Sequence, residues 1–225
     1  ATICKTDLIS EIVGEFPELQ GIMGGHLSFV QGFDKEIVDA IKEQYLPIGQ
    51  ESIVPKKPFS IALSLSDKID TLTGFFGINE TPSSSKDPYA LRRVALGIIR
   101  IIIENKKNIK INDLFSYSKN IYLEQGFKLS NETLIKDISN FLKERFKNYL
   151  KENDFRHDII DATTKTLDLN KVSLAYEKAK SLNKVINKKI GEDIVSSYKR
   201  VFNILSSEVK NISENLSNST DPGIF

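Results

Sequence analysis

Apolar residues recur along most of the chain at spacings of three and four residues, which places them on one face of an α-helix. The pattern is clearest in residues 34–46, 59–76, 131–151 and 192–206. No run shows the period-two alternation of a half-buried strand, and no two runs flank a tight hairpin signal. The pattern therefore predicts an all-α fold. In the second segment the predicted core stripe consists of Ile61, Leu65, Ile69, Leu72 and Phe76.

The last periodic segment, residues 192–206, divides into an apolar and a polar side. Its apolar stripe has the members Tyr198, Val201, Phe202 and Leu205, at the spacings i, i+3, i+4 and i+7. We expect this stripe to face inward, because removing it from water supplies most of the stability of such a helix. The other side then carries three hydrogen-bond donors, Lys199, Arg200 and Asn203.

Two polar stretches interrupt the helical pattern. NETPSSSKDP, residues 79–88, is rich in turn-forming residues and predicts a loop. EQGFKLSNE, residues 124–132, is a second break and the strongest candidate for a domain boundary.

The first of these loops leads into an apolar helix that we expect to begin at Asp87. An aspartate suits the N-cap position because its carboxylate accepts backbone N–H groups of the first turn, which is worth about 1 kcal/mol. Pro88 fits the first helical position, where the missing N–H costs nothing.

Three arginines distinguish this helix from an ordinary core helix. On a helical wheel Arg93 and Arg100 lie opposite the core stripe with Gly97 between them, and Arg92 lies on the flank. A glycine in a helix interior costs about 1 kcal/mol relative to alanine, so Gly97 predicts the close approach of another backbone. That backbone is either a neighbouring helix or a sugar-phosphate strand. The arginines themselves either bind something anionic, or face solvent and pair with carboxylates.

Composition narrows the class of protein. The 225 residues are 40% hydrophobic and 27% charged, which fits a soluble globular protein with one or two domains. A formal net charge of +1 neither requires nor excludes a nucleic-acid partner. The single cysteine, Cys4, excludes an internal disulfide and favours a reducing compartment, so we expect a cytoplasmic location. No apolar run reaches the roughly 18 residues that a membrane span needs, so no membrane partner is expected.

Two carboxylates three residues apart, Asp67 and Asp70, raise the possibility of a metal site. Together with Asp7 and His26 they could supply the oxygen and nitrogen ligands that divalent metals use in hydrolases. The spacing is weak evidence, because no His-Asp pair is adjacent in the first hundred residues. Solvated or ion-paired carboxylates are the favoured interpretation.

Longer blocks of sequence carry a resemblance to a known family. EFPELQGIMGGH (15–26), AIKEQYLP (40–47), IALSLSDKIDTLTGFFGI (61–78) and SKDPYALRRVALGIIRIIIE (85–104) follow one another in that family's order. YKRVFNIL (198–205) resembles a further block. On these blocks the chain resembles the beta subunit of the bacterial two-subunit glycyl-tRNA synthetase.

The resemblance implies a division of labour between two subunits. The alpha subunit would activate glycine with ATP and Mg²⁺, so this chain is expected to hold no cofactor, no metal and no catalytic residue. The implied partners are glycine tRNA and the alpha subunit, within a hetero-oligomer. Residues 1–128 are expected to form an HD-like helical domain whose N-terminal part is missing. Residues 129–225 are expected to form a helical anticodon-binding domain, truncated at its C-terminus.

The resemblance also assigns candidate residues. The candidates for binding tRNA are Arg92, Arg93, Arg100, Lys199, Arg200 and Asn203. A degenerate HD-like site is expected at Lys5, Asp7, His26, Asp67 and Asp70. Lys5 and Asp7 stand where a working site would have a His-Asp pair, and Gln44 stands where some relatives have histidine. Without neutral imidazoles a divalent ion loses good ligands, so no phosphohydrolase chemistry is expected.

Two alternatives remain open at the level of sequence. One is an active HD-type metal-dependent phosphohydrolase, which a metal bound among Asp7, His26 and Asp67 would support. The other is a helical scaffold without an RNA role, which a carboxylate partner for each of the three arginines would support.

Overall fold

The computed structural model describes residues 2–186 and 188–218, except for the side chains of residues 192 and 207–218. The helices run in the order α1 (Glu11–Glu15), α2 (Ile22–Val30), α3 (Lys35–Glu43), α4 (Pro58–Gly77), α5 (Leu91–Glu104), α6 (Ile111–Glu124), α7 (Leu134–Glu152), α8 (His157–Lys165), α9 (Val172–Ile186) and α10 (Lys189–Asn218). Short 3₁₀ turns occupy Thr6–Ile9, Pro17–Leu19 and Leu169–Lys171. The described residues contain no β-strand, which confirms the predicted all-α class.

The chain divides into two compact units, residues 1–177 and residues 178–225. In the first unit α4 is the central helix, because it packs against α3, α5, α6 and α7. The N-terminal helix α2 packs against α3, while α7 packs against α5 and α8. The boundary predicted between residues 128 and 129 therefore lies inside the first unit, between helices that share one core.

The central helix α4 forms where the apolar period predicted it. Each member of its predicted stripe, Ile61, Leu65, Ile69, Leu72 and Phe76, is buried. Pro58 occupies the first turn, where a proline leaves no hydrogen bond unmade. The two predicted breaks also separate helices. Residues 79–88 lie between α4 and α5, and residues 124–132 lie between α6 and α7 except for Glu124, which ends α6.

Helix α5 begins later than predicted, although Asp87 does cap it. The Asp87 carboxylate accepts hydrogen bonds from the N–H groups of Leu91 at 2.8 Å and Arg92 at 3.0 Å. A turn closed by the Ala90 N–H on the Asp87 carbonyl, 3.1 Å apart, separates the cap from the helix. Ala90 has a φ of 53°, so the helix cannot start before Leu91, and the predicted placement of Pro88 at the first helical position is wrong.

The helical wheel also misplaced two residues of α5. Gly97 and Arg100, predicted to lie opposite the core, are both buried, as are Ile99, Ile101 and Ile103. The reason is that α5 packs against α4 and also against α7, so most of its circumference is covered. A wheel drawn from sequence identifies one apolar stripe and cannot show that a second helix covers another side.

Gly97 makes room for the side chain of Lys68 on α4. A Cβ atom at Gly97 would lie 2.7 Å from Lys68 Cε and 3.6 Å from Pro47 Cδ, and the first distance is too short for any real contact. The predicted close approach at Gly97 is therefore real, but its partner is a lysine side chain and not another backbone.

The ammonium group of Lys68 is buried and bonded to neutral oxygens. Its Nζ donates to the Leu46 carbonyl at 2.9 Å, to Ser64 Oγ at 2.9 Å and to the Gln44 carbonyl at 3.4 Å. Burial lowers the pKa of Lys68 to about 8, against a smaller opposite effect of the Asp67 charge. Lys68 thus ties the loop after α3 to α4 at the cost of burying a charge.

Helix α10 contradicts the prediction for its apolar stripe. Tyr198, Val201, Phe202 and Leu205 are each more than half exposed in the described part of the chain. The rings of Tyr198 and Phe202 stack at 6.1 Å between centroids, which agrees with their predicted position on one stripe. The periodicity fixes which residues share a face but does not determine whether anything covers that face.

The depressed pKa of Lys68 makes a prediction about stability and pH. Above about pH 8 the folded chain releases a proton that the unfolded chain retains up to about pH 10, so the free energy of unfolding should rise with pH in this window. Between about pH 8 and pH 9.5 the rise should be about 1.5 kcal/mol for the wild type. Urea unfolding of the wild type and of Lys68→Met at these pH values measures the difference. If the free energy of unfolding depended on pH in the same way in both proteins, the lowered pKa of Lys68 would be contradicted.

Candidate functional site

Two helices and a loop of the first unit enclose a cleft of about 350 Å³, which we call the arginine cleft. One wall belongs to α5, the other to α7, and the loop between α3 and α4 closes one side. The lining residues are Gly49, Gln50, Arg92, Arg93, Leu96, Arg145, Asn148 and Glu152. The cleft therefore collects three guanidinium groups and one carboxylate, in a chain whose net charge is only +1.

The two cleft arginines of α5 differ in how they are held. Arg92 is half-buried, with its Nη1 atom 3.7 Å from the Asp87 carboxylate, and it donates a short hydrogen bond to the Ser83 carbonyl. Arg93 is exposed and has no carboxylate within 4.0 Å among the described residues. Arg92 is thus a fixed charge at the edge of the cleft, whereas Arg93 is free to bind a ligand.

Arg145 is the cleft residue that the sequence analysis missed. Its guanidinium carbon lies 5.6 Å from the centre of the Phe141 ring, one turn earlier on α7. With the Asn148 amide turned so that its oxygen meets donors, that oxygen accepts from Arg145 Nη1 at 3.2 Å and Nη2 at 3.1 Å. No carboxylate of the described residues lies within 4.0 Å of it. Its segment, ERFKN, has the polar residues that any surface helix carries. Arg145 shares the cleft with Arg93 only because α7 packs on α5.

The third predicted arginine of α5 has a different environment. Arg100 is only 8% exposed, and its Nε and Nη2 atoms bond to the Glu104 carboxylate at 2.9 Å and 2.8 Å. Its Nη1 atom donates to the Gly49 carbonyl at 2.6 Å. Arg100 therefore does not share an exposed face with Arg93. It holds Gly49, and through it the loop that lines the arginine cleft.

A second group of charged residues consists of Lys5, near the start of the chain, and two aspartates of α4. The Lys5 Nζ atom lies 2.6 Å from the Asp67 carboxylate, which confirms the ion-paired interpretation for Asp67. Burial would lower the pKa of Lys5, but the hydrogen bond and charge of Asp67 outweigh it and raise the pKa. Asp70 is exposed and lines the same groove as Lys5 and Asp67. Three of the five residues predicted for the degenerate HD-like site thus lie together.

Asp7 and His26, the other two predicted residues, do not line that groove. Asp7 is fully buried, and one carboxylate oxygen accepts the N–H groups of Gly21 at 2.6 Å and Gly24 at 3.0 Å. It therefore caps the start of α2, where the helix dipole favours a negative charge. His26 is exposed on the same helix. In the described part of the chain no three histidine, cysteine, aspartate or glutamate side chains are arranged to hold a metal ion.

Gln44, at the position where some relatives were expected to have histidine, has a structural role. Its side chain is buried, and Nε2 donates to the carbonyls of Cys4 at 2.6 Å and Ile41 at 3.0 Å. It thus joins the N-terminal segment to the end of α3.

The predicted donors of the second unit lie on α10. Lys199, Arg200 and Asn203 are all exposed. Because the apolar stripe of this helix is exposed too, the donors do not form the single outer face that the sequence predicted. No helix among the described residues is long and apolar enough to cross a membrane.

Comparisons with known proteins place these features in a family. The family model described as glycyl-tRNA synthetase beta subunit matches residues 1–165. Over 210 residues the chain is 39% identical to the glycine–tRNA ligase beta subunit of Rhodospirillum centenum, covering 93% of this chain and 29% of that protein. Over 211 residues it is 44% identical to the Rickettsia canadensis subunit, covering 92% of this chain and 30% of that protein. The chain spans about three tenths of the length of these relatives. With a family model matching most of its length, the chain belongs to the glycyl-tRNA synthetase beta subunit family.

Proposed function

We propose that this chain is a tRNA-binding part of a two-subunit glycine–tRNA ligase, which attaches glycine to its tRNA with ATP. The relatives are named as beta subunits of that ligase. The observation that carries the proposal is the pair of guanidinium groups, Arg93 and Arg145, that share the arginine cleft without a carboxylate partner among the described residues.

Guanidinium groups suit the backbone of RNA. Their planar fork donates parallel hydrogen bonds to phosphate oxygens, and they stay charged at any physiological pH. Because the chain is nearly neutral overall, attraction to RNA has to come from local basic surfaces. The arginine cleft is such a surface in the first unit, and the exposed Lys199 and Arg200 are candidates for another in the second.

Catalysis belongs to the partner subunit in this proposal. The alpha subunit activates glycine and holds ATP and Mg²⁺, while this chain supplies RNA contacts within a hetero-oligomer in the cytoplasm. The chain itself contributes no catalytic residue and no cofactor site.

The alternative of an HD-type phosphohydrolase is less well supported by the side chains present. The Asp67 carboxylate is neutralised by Lys5, and the Asp7 carboxylate is used by backbone N–H groups of α2. The alternative of a scaffold without an RNA role explains Arg92 and Arg100, which have carboxylate partners, but leaves Arg93 unexplained.

The direct test is binding of the 225-residue chain to glycine tRNA at several salt concentrations. Two or three phosphate contacts should weaken the affinity roughly ten- to thirtyfold between 50 and 200 mM salt. A non-cognate tRNA and heparin are the comparisons. Equal affinity for heparin and glycine tRNA, or no binding at low salt, would contradict the proposal.

The donors on α10 make a separate prediction for the complete two-subunit ligase. Replacing both Lys199 and Arg200 with alanine should raise the KM for tRNA severalfold, because each cation that contacts a phosphate adds to affinity. Glycine activation, measured without tRNA, should not change. The matched control removes two lysines from α9, Lys180 and Lys184, which are also exposed. An unchanged KM in the Lys199/Arg200 variant would mean that this side of α10 does not contact RNA.

The absence of a metal cofactor is a further prediction. Elemental analysis of protein purified without chelator should find Mn, Fe, Ni and Zn well below stoichiometric amounts, because the Asp67 carboxylate is paired with Lys5 and the Asp7 carboxylate accepts backbone N–H groups of α2. A stoichiometric ion that disappears in Asp67→Asn would contradict this prediction.

A further inference from the structure

We propose that the arginine cleft binds one phosphodiester group of RNA, held jointly by Arg93 from α5 and Arg145 from α7, with Glu152 as an opposing charge at its edge. This inference rests on the proposed function and deepens it, because it names the ligand group and adds Arg145 and Glu152, which the family resemblance did not assign.

The charges that line the arginine cleft favour an anionic ligand. Of the residues lining the arginine cleft, three are arginines and one, Glu152, is acidic. Among the described residues neither Arg93 nor Arg145 has a carboxylate within 4.0 Å, although Arg92 and Arg100, also on α5, do. Two uncompensated cations facing one cleft repel each other, and an anion between them removes that cost.

Arg145 is preorganised for a ligand by its neighbours on α7. Phe141 supports one side of the guanidinium group, and the Asn148 amide oxygen fixes its Nη atoms. The Arg145 Nε–H group is buried, so a ligand would meet the Nη atoms, which carry four N–H groups against the two hydrogen bonds that the Asn148 oxygen accepts. A side chain that is already oriented loses less entropy when it binds a ligand than a free lysine would.

Hydrogen bonds and ion pairs also hold the rim of the cleft. Arg92 is tied to Asp87 and Ser83, and the loop residue Gly49 is held by Arg100. The cleft volume of about 350 Å³ exceeds what a single inorganic phosphate needs and lies at the lower end of the range for small-molecule pockets. It has room for a phosphodiester together with part of its sugar, with Gln50 and Asn148 as polar neighbours.

Glu152 gives the cleft a selective element. It is exposed at the last position of α7, where the helix dipole disfavours an acidic residue. Its carboxylate repels a second phosphate, so the cleft suits a diester with a single negative charge better than a triphosphate.

The test compares tRNA binding by the 225-residue chain carrying Arg93→Gln, Arg145→Gln or both changes. Each single variant should bind glycine tRNA roughly tenfold more weakly, as expected for a charge-assisted hydrogen bond. The double variant should lose clearly less than the product of the two effects, because both arginines hold the same phosphate. The slope of log K against log salt should fall by about 0.7 to 0.9, the value of one phosphate contact.

Two control variants sharpen the result. Arg156→Gln removes the same charge outside the cleft, where Arg156 pairs with Asp158, and should leave the affinity within about twofold. Glu152→Gln should tighten binding severalfold, and it should leave the fold intact because Glu152 is exposed at a helix end. It therefore tests the proposal even if Arg145→Gln disturbs the packing on Phe141.

The outcomes separate this inference from the proposed function. If the wild type does not bind tRNA, both fail. If the wild type binds and the variants at Arg93, Arg145 and Glu152 bind equally well, the cleft proposal is overturned while the function stands. Fully multiplicative losses, with a slope change of two contacts, would also overturn it, since two phosphates would then be bound. Binding of ATP that depends on Arg93 and Arg145, with unchanged tRNA affinity, would identify a nucleotide site instead.

Discussion

The buried ammonium group of Lys68 sets the arrangement on which the first unit depends. It bonds to the carbonyls of Gln44 and Leu46, and it occupies the space that Gly97 leaves open on α5. A lysine in this position carries a desolvation cost, which appears as its lowered pKa. That cost is offset because three oxygen atoms surround the ammonium group, and the result is that the loop after α3, helix α4 and helix α5 are held in one register.

Arg100 connects this arrangement to the loop that lines the arginine cleft. Because α5 is fixed against α4, Arg100 is placed where it can bond to Glu104 and to the carbonyl of Gly49. One helix thus carries arginines in opposite environments, since Arg100 bonds to groups inside the protein, whereas Arg93 is exposed and is the residue that we propose for ligand binding. The difference lies in the partners, because a guanidinium group whose donors are all satisfied by protein oxygens has little affinity left for phosphate.

The charged groups around Lys5 are stabilised by ion pairing and by hydrogen bonds to the backbone. The ammonium group of Lys5 lies against Asp67 and supplies positive charge to that carboxylate. Asp7 has become a helix cap, and Gln44 connects two segments of backbone. Three of the polar groups in this region thus have structural contacts, those of Asp67, Asp7 and Gln44.

The sequence is enough to predict the helical class, the core stripe of α4, the breaks before α5 and α7, and the capping chemistry of Asp87, because these follow from local periodicity and hydrogen-bonding capacity. It could not decide the environment of Arg100, the exposure of Tyr198 and Phe202, or the presence of Arg145 in the arginine cleft. Those features depend on which helices meet. A residue's neighbours on its own helix are fixed by a period of 3.6 residues, whereas its neighbours across an interface are fixed only when the whole unit packs.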